Sequence, residues 1–109
     1  MSTDRIAQLK AFLEQDPEDA FTHYALALEL WKAGRRDEAR KTFEALLARN
    51  PDYVGAYYHL ARLYQELGLP EEAARTYQRG ITTARAQGAE HALRELMEAW
   101  ERFQEEQSP

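Results

Sequence analysis

His23, His59 and His91 are the only histidines in the 109 residues, and imidazole is the side chain best suited to metal ligation or proton transfer near neutral pH. A helical metal face needs two such ligands one turn apart, as in His-Glu-x-x-His, or a histidine with a carboxylate pair in the same register. None of the three has either, so no metal site is expected. Ser2 and Ser108, the only serines, stand at the two ends, too far from any base to serve as an activated nucleophile. Cysteine is absent, which removes disulfides, thiolate ligands and a thiol nucleophile together. There is no glycine-rich phosphate loop, and the carboxylates alternate with Arg and Lys along the chain as on a solvated helical surface. The expectation is a protein that is not an enzyme and carries no cofactor.

With no chemistry to position, the elements themselves become the subject. A 109-residue chain is long enough for one modest core. Its 44% hydrophobic and 30% charged residues, rich in Ala, Leu, Glu and Arg, favour helix throughout. The net charge of -5 provides no basic surface for phosphate backbones, so nucleic acid is not an expected partner. Residues 1–10 lack the apolar core of a signal peptide, and no apolar run approaches membrane-spanning length. No membrane partner and a cytoplasmic location are expected.

One pattern occurs twice. Tyr24, Leu26, Ala27, Gly34, Glu38, Ala39 and Phe43 are answered, 34 residues on, by Tyr58, Leu60, Ala61, Gly68, Glu72, Ala73 and Tyr77. This period, with a helical pattern on each side of a glycine turn, resembles the tetratricopeptide repeat in a small bacterial-type protein. The resemblance implies an all-α, right-handed helix-turn-helix solenoid of about six helices, built as a single domain over residues 1–109. Residues 1–15 would form an N-terminal half-repeat helix, 16–51 and 52–87 the two full units, 88–105 a capping helix, and 106–109 a frayed tail.

Read in order, a first helix is expected from about Asp4 to Gln15, with Ser2, Thr3 or Asp4 as N-cap and Ile6, Leu9, Phe12 and Leu13 on one apolar stripe. Asp16-Pro17-Glu18-Asp19 reads as a helix start, with Asp16 as cap and Pro17 at the first helical position. Asn50-Pro51-Asp52 repeats that signal. The helix from about Glu18 to Ala33 carries His23, Leu26, Ala27 and Leu30 on one stripe and Phe21, Tyr24, Leu28 and Trp31 on another, so several neighbours must cover it. Asp37 to Asn50 should turn Ala39, Phe43, Leu46 and Leu47 inward. In the second unit Tyr57, Leu60, Ala61 and Tyr64 should face Ala73, Tyr77, Gly80, Ile81 and Ala84. Gly80 stands inside a helix, where it costs about 1 kcal/mol relative to Ala, so close helix packing is expected there. The first unit has Leu46 at the same place. In the last helix, from about Ala89 to Glu105, Ala89, Leu93, Leu96, Met97, Trp100 and Phe103 share a face.

What the resemblance implies for function is a binding groove. Phe21, Tyr24, Leu28 and Trp31 from the first unit and Tyr58, His59, Arg62 and Gln65 from the second would line it, and His91 would also face it. Aromatics with an arginine at the edge have the composition of a binding hot spot. Some family members grip a C-terminal carboxylate with Lys and Asn on these faces; Tyr24, Leu28 and His59 stand there instead, so that clamp is not expected. The expected partner is a protein or peptide, as an extended or helical segment with apolar anchors and a carboxylate or carbonyl near Arg62. This is the role of an adaptor or scaffold. The alternative is a self-assembling structural protein whose apolar stripe forms a homodimer interface, and a terminal helix folded across the groove would be a third way to cover it.

Overall fold

The computed structural model describes residues 2–109, with the side chains of residues 2 and 3 excepted. Six helices follow one another: α1 (Ser2–Gln15), α2 (Ala20–Lys32), α3 (Arg36–Arg49), α4 (Gly55–Glu66), α5 (Pro70–Gln87) and α6 (Glu90–Gln107). The protein is all-α, and no strand occurs among the described residues. Two compact units divide the helices: α1 to α3 in the first, which ends at Tyr53, and α4 to α6 in the second, Val54–Pro109.

The start of α1 lies earlier than Asp4, and an N-cap from Ser2 or Thr3 falls outside the described side chains. Between α1 and α2 the structure corrects the expected cap. Asp19, not Asp16, is the N-cap: its carboxylate accepts from the Thr22 N–H at 3.0 Å and from the Thr22 hydroxyl. Those two bonds hold the Asp19 carboxyl below its ordinary pKa of 3.8. Asp16 instead opens a turn closed by Asp19 N–H to Asp16 C=O at 3.3 Å, with Pro17 at the second position, where its fixed φ is favourable. Asn50-Pro51-Asp52 is likewise a turn, closed by Tyr53 N–H to Asn50 C=O at 3.0 Å. Its helix α4 starts at Gly55 with no side-chain cap, because Tyr53 occupies the place that Asp19 takes in the first unit.

The paired helices of each unit reverse at a glycine. Gly34 and Gly68 have φ of +81° and +72°, which other residues rarely adopt. In each case the following N–H reaches back five residues, Arg35 to Leu30 C=O and Leu69 to Tyr64 C=O, both at 2.9 Å, and so satisfies the last turn of the helix. In the first unit α2 packs against α1 and α3, burying Leu26, Ala27 and Leu30 with Ala39, Phe43, Leu46 and Leu47. Among the described side chains of α1, Ile6 is the buried one. Phe12, expected on the same stripe, is 54% exposed, because only one edge of α1 is turned to α2.

In the second unit α5 packs against both α4 and α6, and α6 also touches α4. Tyr57, Leu60, Ala61 and Tyr64 are buried with Ala73, Tyr77, Gly80 and Ala84, as their spacing predicts; Ile81 is half-buried. Gly80 is the point of closest approach. A Cβ built there would lie 2.7 Å from the Tyr57 Cβ and 3.1 Å from a Leu96 methyl, so α5 meets both neighbours at a residue without a side chain. The buried face of α6 is Leu96, Ala99 and Phe103, rotated from the expected one: Met97 is 41% exposed. Trp100 and Phe103 stack at 5.8 Å and lie 6.0 and 5.6 Å from the Tyr77 ring, which α6 thereby covers. The tail expected to fray from residue 106 is helical through Gln107, since its backbone has no breaker before Pro109.

Candidate functional site

On the first unit, Phe21 occupies the first turn of α2 and is 65% exposed, the most exposed large apolar side chain described. Its ring lies 6.5 Å from Tyr24, which in turn sits 6.4 Å from the buried Phe43 and 5.4 Å from Tyr53. An exposed aromatic thus sits beside a half-buried tyrosine that itself leans on the core ring of Phe43. Burial, and then the Asp19 charge, raise the Tyr53 pKa and keep that phenol neutral. Leu28 and Trp31, also expected at the site, are half-buried along the same helix. His23, expected as a packed histidine, is half-buried with Nε2 2.7 Å from the Pro17 carbonyl and 3.2 Å from an Arg49 guanidinium nitrogen. It braces the turn before α2.

On the second unit, α4 brings Tyr58, His59, Arg62 and Gln65 together in a different manner. The Arg62 guanidinium donates to the Tyr58 hydroxyl at 2.9 Å and lies 5.7 Å from that ring's centroid. His59 meets Tyr58 edge to face at 5.3 Å. Burial lowers the His59 pKa below 6.5, with Glu95 opposing and Arg62 assisting, so the ring is held neutral. Gln65 accepts from the Tyr77 hydroxyl and donates to Glu106 at 3.3 Å, which joins α4, α5 and α6 through one side chain. Burial pushes the Tyr77 phenol up to about 12, so it remains a donor at any physiological pH. His91 is exposed, 3.6 Å from Glu95 on its own helix.

Arg62 and Gln65 open onto a cavity of about 570 Å³ whose wall includes Tyr77, Arg102, Phe103 and Glu106. Sequence reasoning did not pick out Arg102 or Glu106, the second of which falls in the expected frayed tail. Their four-residue spacing puts them on one side of α6, but only the packing of α6 against α4 shows that this side faces Gln65. Among the described residues no group of three or more His, Asp or Glu is arranged to hold a metal, and no helix is long and apolar enough to cross a membrane.

The family model for the tetratricopeptide repeat matches residues 24–90, more than half the chain. The chain belongs to the tetratricopeptide repeat family. A tetratricopeptide repeat domain protein from Salinibacter ruber, solved in solution, is 45% identical over 80% of this chain and 88% of its own, with a TM-score of 0.76. PcrH, solved in complex with the chaperone binding region of PopD, matches at a TM-score of 0.89 with 18% identity over 98% of this chain and 81% of its own. The TPR2B domain of yeast Sti1, in a pHsp70 complex, matches at 0.85 with 19% identity over 94% and 82%. At those identities the last two show a shared fold. No curated protein matches the chain. Within this family the Gly34 and Gly68 reversals, and the alanine pairs Ala27 with Ala39 and Ala61 with Ala73, all fully buried alanines, are the repeat's recurring parts.

Proposed function

We propose that this tetratricopeptide repeat chain is a non-catalytic protein-interaction module that binds a peptide or helical segment of a partner protein. Phe21, Tyr24, Leu28 and Trp31 on the first unit would supply the apolar anchor, and Tyr58, His59, Arg62 and Gln65 on the second the polar contacts. The observation that carries this reading is Phe21: a phenylalanine 65% exposed, beside a Tyr24 that packs against the core ring of Phe43. Such a side chain gains from burial only when something else covers it. Covering it fully is worth about 1.5–3 kcal/mol, which is about ten- to a hundred-fold in affinity. Support also comes from the relatives of the same fold: PcrH is seen with a segment of PopD, and the Sti1 domain in a complex with pHsp70. The role this suggests is that of an adaptor or scaffold, acting in the cytoplasm.

A displayed random-peptide library panned against the wild type tests the reading. Selected peptides should bind the wild type, bind Phe21→Ala at least about ten-fold more weakly, and lose affinity again on Arg62→Ala. Peptides that bind all three proteins equally would contradict it.

A further inference from the structure

The groove between α5 and α6, away from the Gln65 side, is apolar at its centre and charged at two points. It encloses about 410 Å³ and is lined by Ile81, Met97 and Trp100, with Arg85 and Glu101 beside them. Met97 is 41% exposed at its middle. Arg85 approaches the Met97 sulfur at 4.0 Å, and neither Arg85 nor Glu101 forms an ion pair among the described residues. The other rim residues, Gln78, Thr82 and Gln104, are neutral.

The positions of the two charges are informative. Arg85 is level with Met97, whereas Glu101 lies one helical turn, about 6 Å, further along α6. The positive and negative charges are therefore offset along the groove, with Met97 beside the first and Trp100 beside the second. A two-fold rotation about an axis through that apolar centre exchanges the two ends and carries each charge onto the place opposite its counterpart. We propose that this face is a self-association surface on which a second copy of the chain packs about a two-fold axis, with Arg85 of each protomer paired to the partner's Glu101. Met97 of each protomer then meets the partner's Trp100, a sulfur-aromatic contact of favourable type, inside a polar rim. A face that carries both signs of charge, offset across an apolar centre, is complementary to itself, and an isologous interface demands that property; the exposed Glu98 and Glu105, three residues before and four after Glu101, add to the negative end.

The size of the face sets the strength. Helices of 18 residues are about 27 Å long, and two side by side present roughly 500 Å², below the roughly 800 Å² per partner of stable complexes. Association is therefore weak, in the micromolar range or above.

Sedimentation equilibrium or light scattering of the whole chain from about 1 µM to 1 mM tests this. The wild-type mass should climb from 12.7 kDa towards twice that value. Arg85→Glu and Glu101→Arg should each weaken association at least about ten-fold, since each creates two like-charge contacts. The double variant Arg85→Glu with Glu101→Arg should restore it, and Met97→Lys should abolish it. All these side chains are exposed, and unchanged helical circular dichroism would establish that each variant is folded. Phe21→Ala should associate like the wild type, which separates this face from the peptide-binding reading. A mass fixed at 12.7 kDa, growth beyond the dimer, equal association of all variants, or a double variant that fails to recover would each overturn the proposal.

Discussion

Replacing Gly80 with alanine reverses the usual effect of that substitution. Gly80 lies within α5 and has no positive φ, so on an exposed helix the change would gain about 1 kcal/mol of propensity. Here the new methyl would meet the Tyr57 Cβ at 2.7 Å and two Leu96 methyls at 3.1 and 3.2 Å. The leucine methyls are the end of a side chain and can yield. The Tyr57 Cβ is fixed to the backbone of α4, and only a shift of one helix relative to the other relieves the contact. Overpacking of this kind costs typically 1–3 kcal/mol, and a contact this short against a backbone-anchored atom belongs at the upper end. Subtracting the propensity gain leaves a net loss of about 1–2 kcal/mol, which lowers Tm by roughly 4–10 °C in a domain of this size. Urea unfolding followed by circular dichroism measures it, with an unchanged m-value showing that the transition is the same one. A Gly80→Ala protein as stable as the wild type, or more so, would refute the argument that α5 closes on its neighbours at this residue.

Other perturbations separate core from surface. Phe43→Ala, at a fully buried ring, should cost about 3–5 kcal/mol, whereas Phe21→Ala should change the unfolding free energy by less than about 0.5 kcal/mol, both read by urea titration. Gly68→Ala should lose about 1 kcal/mol because φ is +72°, and Gly68→Asn should lose less, since Asn tolerates that conformation better. The folded-state pKa of His59 is lowered, so its contribution is fully present above pH 6.5 and is lost as pH falls through the folded value. Thermal scans from pH 8 to 5 should show the wild type losing stability relative to His59→Gln, and parallel curves would contradict burial as the cause.

The elements were legible wherever few residues could serve. Positive φ at Gly34 and Gly68, and backbone approach at Ala27, Ala39, Ala61 and Ala73, tolerate almost no alternatives, so the second copy of the pattern repeats the first. The cap before α2 was less legible because Asp16 and Asp19 both suit the role. The proline decides between them, since Asp16-Pro17 makes a turn first, and the Thr22 three residues after Asp19 is the overlooked sign of the true cap. Periodicity defines faces without saying how far a neighbour reaches, so Phe12 and Met97 share a stripe with buried residues yet remain exposed. The cavity beside Gln65 was the least legible feature. It depends on α6 meeting α4, two helices separated in sequence by α5.

The aromatic patch on α2 with the polar cluster on α4 is the claim on which the functional reading rests. Amide chemical shifts of isotopically labelled protein, titrated with the tightest peptide from the library, test it most directly. The largest changes should fall on α2 around Phe21, Tyr24, Leu28 and Trp31 and on α4 around Tyr58, His59, Arg62 and Gln65. Changes confined to α3, or to the α5–α6 face around Met97, with α2 and α4 silent, would contradict it.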